Sequence, residues 1–220
     1  MMNTQRMNNM LEGKNKNLEV QMEVLEKILK QNKTVWKVLE ILEEYAKENK
    51  NFKDYYLSAG CINQTVFNYY HNYPLEQNIK DYDIVYYEED TSYEAEDIII
   101  KEIQNRVKKL NIECDIKNEK RVPIWYNEKY HTNRGDYTST EDAIRRWTTT
   151  ITSIGVRLEN KKLIVCAPYG LNDLFTMTIR PIKLEITKEI YEGKCKKWKK
   201  YWPKLNIIEW DSCNEIQNVV

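Results

Sequence analysis

The hydrophobic period of this chain changes near Tyr55, and that change limits what it can fold into. Before it, Leu18, Met22, Leu25 and Leu29 recur at three- and four-residue spacing. After Asn32 a second stripe runs through Val35, Leu39, Leu42 and Ala46. Such spacing collects apolar side chains on one helical face, so two amphipathic helices are expected. Trp36, Val38 and Tyr45 flank the second stripe, which favours packing into a shared core over a coiled-coil seam with a partner.

Beyond Tyr55, short β-branched and aromatic runs take over. YYLSAG (55–60) reads as a strand ending in a turn at Gly60, INQTVFNYY (62–70) as a helix, and DYDIVYY (81–87) as a strand. From Tyr93 to Leu110, Ala95, Ile99, Ile103 and Val107 share a helical face. In IECDIKN (112–118), Ile112, Cys114 and Ile116 alternate with Glu113, Asp115 and Lys117, the mark of a half-buried strand. TITSIGVRL and KLIVCAPYG, separated by the polar ENKK, suggest a hairpin. GLNDLF opens a short helix, and ITKEIYEGKCKKWKKYW is a basic aromatic helix ended by Pro203. Strands mixed with helices predict an α/β (α+β) fold with a mixed sheet flanked by helices. One domain over 17–211 is expected, between a mobile polar tail at 1–16 and a C-terminal tail at 212–220.

Composition excludes several classes of function. Lys+Arg and Asp+Glu are balanced at 34 each, without the basic excess of a dedicated nucleic-acid binder. Nothing approaches the roughly 18–20 apolar residues of a membrane span. The N-terminal residues lack the apolar stretch of a secretory signal, so a cytoplasmic protein is expected. Five cysteines, odd in number and without a CxxC pair, suit reduced thiols there. His71 and His131 stand far apart, so zinc is not expected.

The chemistry lies in the acidic residues. On a strand, Asp81 and Asp83 project from one face about 7 Å apart. Two neighbouring carboxylates repel each other, and a divalent cation between them removes that cost. Mg²⁺ suits such a pair, its other positions being filled by water and phosphate oxygens. A crossover helix at 93–110 brings the strand of Asp115 alongside, and three carboxylates on one surface can hold two ions about 3.5–4 Å apart. Glu113 is set aside by its facing, leaving Glu119 as the substitute for Asp115.

Around this strand pair lie ordered blocks: SAGCINQTVFN (58–68), DYDIVYYEED (81–90), CDIKNEKRVPIWY (114–126), TEDAIRRWTTTITSIGVRL (140–158), VCAPYGLNDLF (165–175), RP (180–181) and Y-x2-K-x3-W-x3-WP-x-L (191–205). Together they resemble, over roughly residues 35–210, a family of bacterial nucleotidyltransferase-like proteins. That family belongs to the polymerase-β-like superfamily and is related to the head domain of CCA-adding enzymes. The resemblance implies a polymerase-β-like sheet and transfer of a nucleoside monophosphate from an NTP to an unidentified acceptor. Pyrophosphate is released, with Mg²⁺ or Mn²⁺ as cofactor. It also implies that Gly60 forms the turn facing the triphosphate, that Asp81 and Asp83 bind metal, and that Asp115 is the third acid.

The chain departs from the superfamily pattern in three places. Cys61 follows Gly60 where Gly or Ser is usual, the interval to Asp81 is long, and Pro123 stands where the family has His. Asn63, Gln64 and Thr65, at the start of the helix after the turn, are candidates for phosphate or ribose contacts, with helix capping as the alternative. Arg121, Arg134, Arg157 and Arg180 are candidates for the triphosphate, and Arg121 and Arg180 lie within the family-like blocks. Asp173 is read as a cap or an arginine partner. Lys194, Lys196, Lys197, Lys199 and Lys200 around Trp198 are read as a solvated helix face in preference to a nucleic-acid track. Two further functions stay open: a non-catalytic nucleotide-binding or sensing module, and an RNA-binding accessory protein using this basic helix.

Overall fold

A computed structural model describes residues 13–131 and 133–213. The tails expected at the two ends fall mostly outside these residues. Two residues of the stretch 13–16 are tied to the fold: the buried Gly13 carbonyl accepts from Gln21 Nε2 at 2.9 Å, and the exposed Asn15 amide donates to Asn172 Oδ1 at 2.9 Å. A β-carbon on Gly13 would sit 2.5 Å from the Phe175 ring, so only glycine fits there.

Helices α1 (Leu18–Leu29) and α2 (Lys33–Glu48) pack their stripes into the main core through Leu25, Ile28, Leu29, Val35, Leu39 and Leu42, while Leu18 stays exposed. Asn32 joins them. Its side chain caps α2 by accepting from the Val35 amide at 3.1 Å and donates to Thr65 Oγ1 at 2.8 Å. The interruption in the apolar pattern is therefore a buried cap that also ties α2 to the next helix.

Strand β1 (Tyr56–Ser58) leads directly into α3 (Gly60–His71). Strand β2 (Asp81–Tyr86) is followed by α4 (Tyr93–Val107), which is capped by Ser92 and crosses to β3 (Glu113–Asn118). Because α4 makes that crossover, β2 and β3 run parallel. Two short helices follow, α5 (Val122–Tyr130) and α6 (Thr140–Arg145), neither evident from periodicity.

The hairpin of β4 (Gly155–Glu159) and β5 (Lys162–Cys166) turns at Asn160 and Lys161, both with positive φ. That is the backbone of a two-residue type I′ turn, whose twist matches the strands. Then come α7 (Asn172–Phe175), β6 (Thr178–Ile179), the basic helix α8 (Lys188–Tyr201) and β7 (Asn206–Ile207), with β6 and β7 forming a small second sheet.

The main sheet has the order β3-β2-β1-β4-β5, mixed in direction. Its faces are unequal. Leu57, Tyr82, Ile84, Tyr86, Ile116 and Val156 enter the large core shared with the helices. The alternate residues point to the other face, where Tyr56 and Val85 form a small cluster with Ile144 and Cys166. That thinner face leaves room for the acidic residues. No helix among the described residues is long and apolar enough to cross a membrane.

Candidate active site

The parallel register assembles the acids. Asp81 pairs with Glu113 and Asp83 with Asp115, so all four carboxylates belong to one face. This corrects the exclusion of Glu113: it stands opposite Asp81, two residues from Asp115. On the adjoining strand Ser58 pairs with Asp83 and donates its hydroxyl to the Asp83 carbonyl at 3.3 Å.

The turn before α3 works differently from expectation. Ala59, not Gly60, takes the positive φ of 51° that favours glycine, held by its amide bond to the Ile154 carbonyl at 3.1 Å. Gly60 has no positive φ, and its missing side chain leaves open the space beside the carboxylates. A β-carbon there would lie 3.1 Å from Gln64 Nε2 and 3.8 Å from both Asp81 Oδ1 and Asp83 Oδ2. The Gly60 amide instead hydrogen-bonds the Asp83 carboxylate, at the positive end of the α3 dipole.

Charge within this group is poorly compensated. Burial, with the Asp81 and Asp115 charges adding to it, pushes the Asp83 pKa up to about 6 against the pull of Lys117 and the Gly60 amide. Lys117 itself ion-pairs with Asp115. Among the described residues, no three side chains of metal-binding type are gathered closely enough to hold an ion as they stand. The chemistry of the donor set still fits a divalent cation: Asp81 and Asp83 converge on the space beside Gly60, and their mutual repulsion is what a cation relieves.

In front of the strands opens a cavity of about 370 Å³, lined by Asp83 and Asp115 but not by Asp81. Glu119 closes one side. It is 3% exposed, no hydrogen bond engages its carboxyl among the described residues, and burial pushes its pKa up to about 8. Trp125 and Trp147 supply apolar wall, and Arg134, Arg146 and Lys194 supply positive charge.

The remaining expected residues are dispersed. Cys61 is fully buried in the core, with its thiol 3.5 Å from the Ser58 carbonyl. Asn63 is buried and donates to the Ile151 carbonyl at 3.3 Å, and Thr65 is buried between Asn32 and the Cys61 carbonyl, to which it donates at 2.7 Å. Their side chains face packing rather than ligand, because α3 is enclosed along most of its surface. Gln64 alone of the three borders the carboxylates.

Arg121 pairs with Glu96 and Arg180 with Asp173, the latter at 3.1 Å, and neither lines the cavity. Arg157 lies over the Tyr56 ring, also away from it. Arg134 does line the cavity, stacked 3.6 Å above Tyr126 and paired with Glu185 at 3.1 Å. Lys194 corrects the reading of a purely solvated helix face: its Nζ reaches Thr148 Oγ1 at 3.0 Å inside the cavity. Trp125, within CDIKNEKRVPIWY, and Arg146 and Trp147, within TEDAIRRW, line the cavity without having been singled out by the sequence. Their only sequence signal was membership of a family-like block.

Residues 46–207 match the family model described as nucleotidyltransferase. The chain belongs to the nucleotidyltransferase family. Among solved structures, this family member is similar to a protein whose NMR structure reveals a CCA-adding enzyme head domain. The TM-score is 0.66, over 84% of this chain and 95% of that one, at 23% identity. That likeness shows the polymerase-β-like fold. No curated protein matches this chain in sequence.

Proposed function

We propose that this protein transfers a nucleoside monophosphate from an NTP to an acceptor hydroxyl or amine, releasing pyrophosphate. The observation that carries the reading is the β2–β3 register, which puts Asp115 directly beside Asp83 and on the face of Asp81, at the edge of a cavity. Asp81 and Asp83 would hold Mg²⁺ or Mn²⁺, with Asp115 contributing once it exchanges its Lys117 partner for a cation. The bound cation would bind the triphosphate and offset charge developing during transfer.

The chain's own residues do the positioning. Gly60 keeps the space beside the carboxylates clear, and its amide orients Asp83. Gln64 borders that space and is positioned to donate to phosphate or ribose. In apo protein Lys117 neutralises Asp115. Trp125 and Trp147 exclude water from one side of the cavity. The acceptor group reaches the phosphorus from the side of Asp115, whose carboxylate takes up its proton as the new bond forms.

The test is incubation of the protein with each labelled NTP, Mn²⁺ and cell extract, with pyrophosphate release and labelled products as readouts. Asp115→Ala is expected to abolish release while calorimetry shows Mg-NTP binding nearly intact. Equal loss of both would make Asp115 part of the nucleotide pocket.

A second reading, nucleotide binding without turnover, draws support from the burial of Cys61, Asn63 and Thr65, which leaves the turn with few side-chain donors. Saturable Mg-NTP binding with no pyrophosphate from any NTP in any extract would favour it.

A further inference from the structure

The cations facing the cavity differ in what holds them. Lys117 is paired with Asp115, Arg134 with Glu185, and Arg146 with both Asp142 and Glu185. Lys194 has no carboxylate partner among the described residues; its one hydrogen bond goes to the neutral Thr148 hydroxyl. It is also the cavity cation that comes from farthest along the chain. Helix α8 delivers it, and that helix is pinned by Tyr191, whose hydroxyl lies 3.0 Å from the Ile179 carbonyl and 2.6 Å from that of Ile208. Lys196, Lys199 and Lys200 line a different groove, beside Trp210.

Lys194 keeps part of its surface exposed, but its ammonium end is turned into the cavity, where the described residues offer it one hydroxyl and no carboxylate. Crowding around it lowers its pKa, while the Asp83 charge across the cavity raises it, so the two groups sense each other. A ligand between them has a cation-binding acid on one side and an unpaired cation on the other. Multiply charged phosphate carried on a divalent ion matches both at once.

We propose that Lys194 binds the polyphosphate of the incoming nucleotide, with Thr148 as the positioning residue that holds its ammonium over the cavity. This rests on the nucleotidyltransferase reading for the identity of the ligand, but not for the presence of an anion site. The arginines, already neutralised, serve as framework, and the unpaired lysine is the group free to exchange a hydroxyl for phosphate oxygens.

Titration calorimetry on the full chain tests it, with the magnesium complexes of inorganic tripolyphosphate, each NTP and each NMP as probes. Lys194→Met is expected to weaken tripolyphosphate and NTP binding about tenfold or more while leaving NMP binding unchanged. Lys194→Arg should recover most of the loss, and Thr148→Val should cost about threefold. Thermal melting of Lys194→Met at or above the wild-type temperature would show that the loss is not unfolding. The assignment is overturned if Lys194→Met binds tripolyphosphate as well as wild type, if it loses NTP and NMP equally, or if wild type binds no polyphosphate. If tripolyphosphate binding depends on Lys194 but no NTP yields pyrophosphate with the wild-type protein, Lys194 keeps its role and the transferase reading falls.

Discussion

The two charged walls of the cavity are built on opposite principles. The acidic wall comes from adjacent strands and is only partly compensated: Asp83 and Asp115 face each other in register, and the nearby cation, Lys117, pairs with Asp115. The basic wall is assembled from α5, α6 and their following segments, and its arginines are tied down. Glu185 holds both Arg134 and Arg146, and Asp142 holds Arg146 a second time, at 2.8 Å. Repulsion stored among ligand-binding groups is released only when a ligand arrives, whereas a satisfied ion network keeps the shape of the pocket. The difference teaches which charges to read as chemistry and which as scaffold.

The largest effect should come from the acidic wall. Asp83→Asn is expected to reduce pyrophosphate release roughly a thousandfold, about 4 kcal/mol of barrier, while the apo protein melts no lower than wild type. The stability half follows from relieving repulsion against Asp81 and Asp115. A sharp fall in melting temperature would erase the contrast between the walls and make Asp83 a structural partner.

Next in size is the opposite substitution. Glu185→Ala strands Arg134 and leaves Arg146 with Asp142 alone in a mostly buried setting, which should lower stability by about 3 kcal/mol in urea denaturation. A change under 1 kcal/mol would mean that Asp142 and the aromatic rings hold the arginines without it, and the basic wall would no longer count as a network.

Glu119 sharpens the comparison through pH. Its pKa rises from an ordinary 4.5 to about 8, chiefly by burial. Between those values the folded chain holds a proton that the unfolded chain releases, so apo stability should fall as pH rises from about 5 to about 8. Glu119→Gln carries no such titration, and at pH 8 it should be more stable than wild type by about 2 kcal/mol, a figure below the full shift at 1.4 kcal/mol per unit because the cavity admits water. Parallel stability–pH curves for the two proteins would show that Glu119 is ionised and paired.

The smallest effect probes the link between the walls. The Lys117–Asp115 pair is half-exposed, so Lys117→Met should alter apo stability by less than about 0.5 kcal/mol. Removing that competitor should nevertheless tighten Mn²⁺ binding several-fold, as read by electron paramagnetic resonance. Weaker binding would mean that Lys117 positions Asp115 rather than masks it.

Much of the acidic wall was legible in the sequence, because facing on a strand is a local property. Alternation in DYDIVYY and IECDIKN puts Asp81, Asp83 and Asp115 on polar faces whatever surrounds them, and a helix-length connection between the strands makes a parallel crossover the natural outcome. The amphipathic stripes of α1 and α2 and the turn of the β4–β5 hairpin were legible for the same reason: 3.6- and 2-residue periods and two-residue turns are written within a few positions. The same logic, applied consistently, keeps Glu113 on the site face.

What the tertiary structure alone decided concerns residues whose role depends on what lies across from them. Asn63 and Thr65 look like ligand donors at a helix start, yet α3 is enclosed on nearly every side, so the Asn63 amide nitrogen and the Thr65 hydroxyl donate to the Ile151 and Cys61 carbonyls. Arg121 and Arg180 carry charges suited to phosphate, but Glu96 and Asp173 reach them first. Lys194 looks like one more lysine on a solvated face until Tyr191 and Cys195 pack α8 in an orientation that sends it to Thr148. Local sequence determines which face of an element a side chain occupies. Only the packing of distant elements determines whether that face meets solvent, core or cavity, and with it whether a charge is neutralised or left for a ligand.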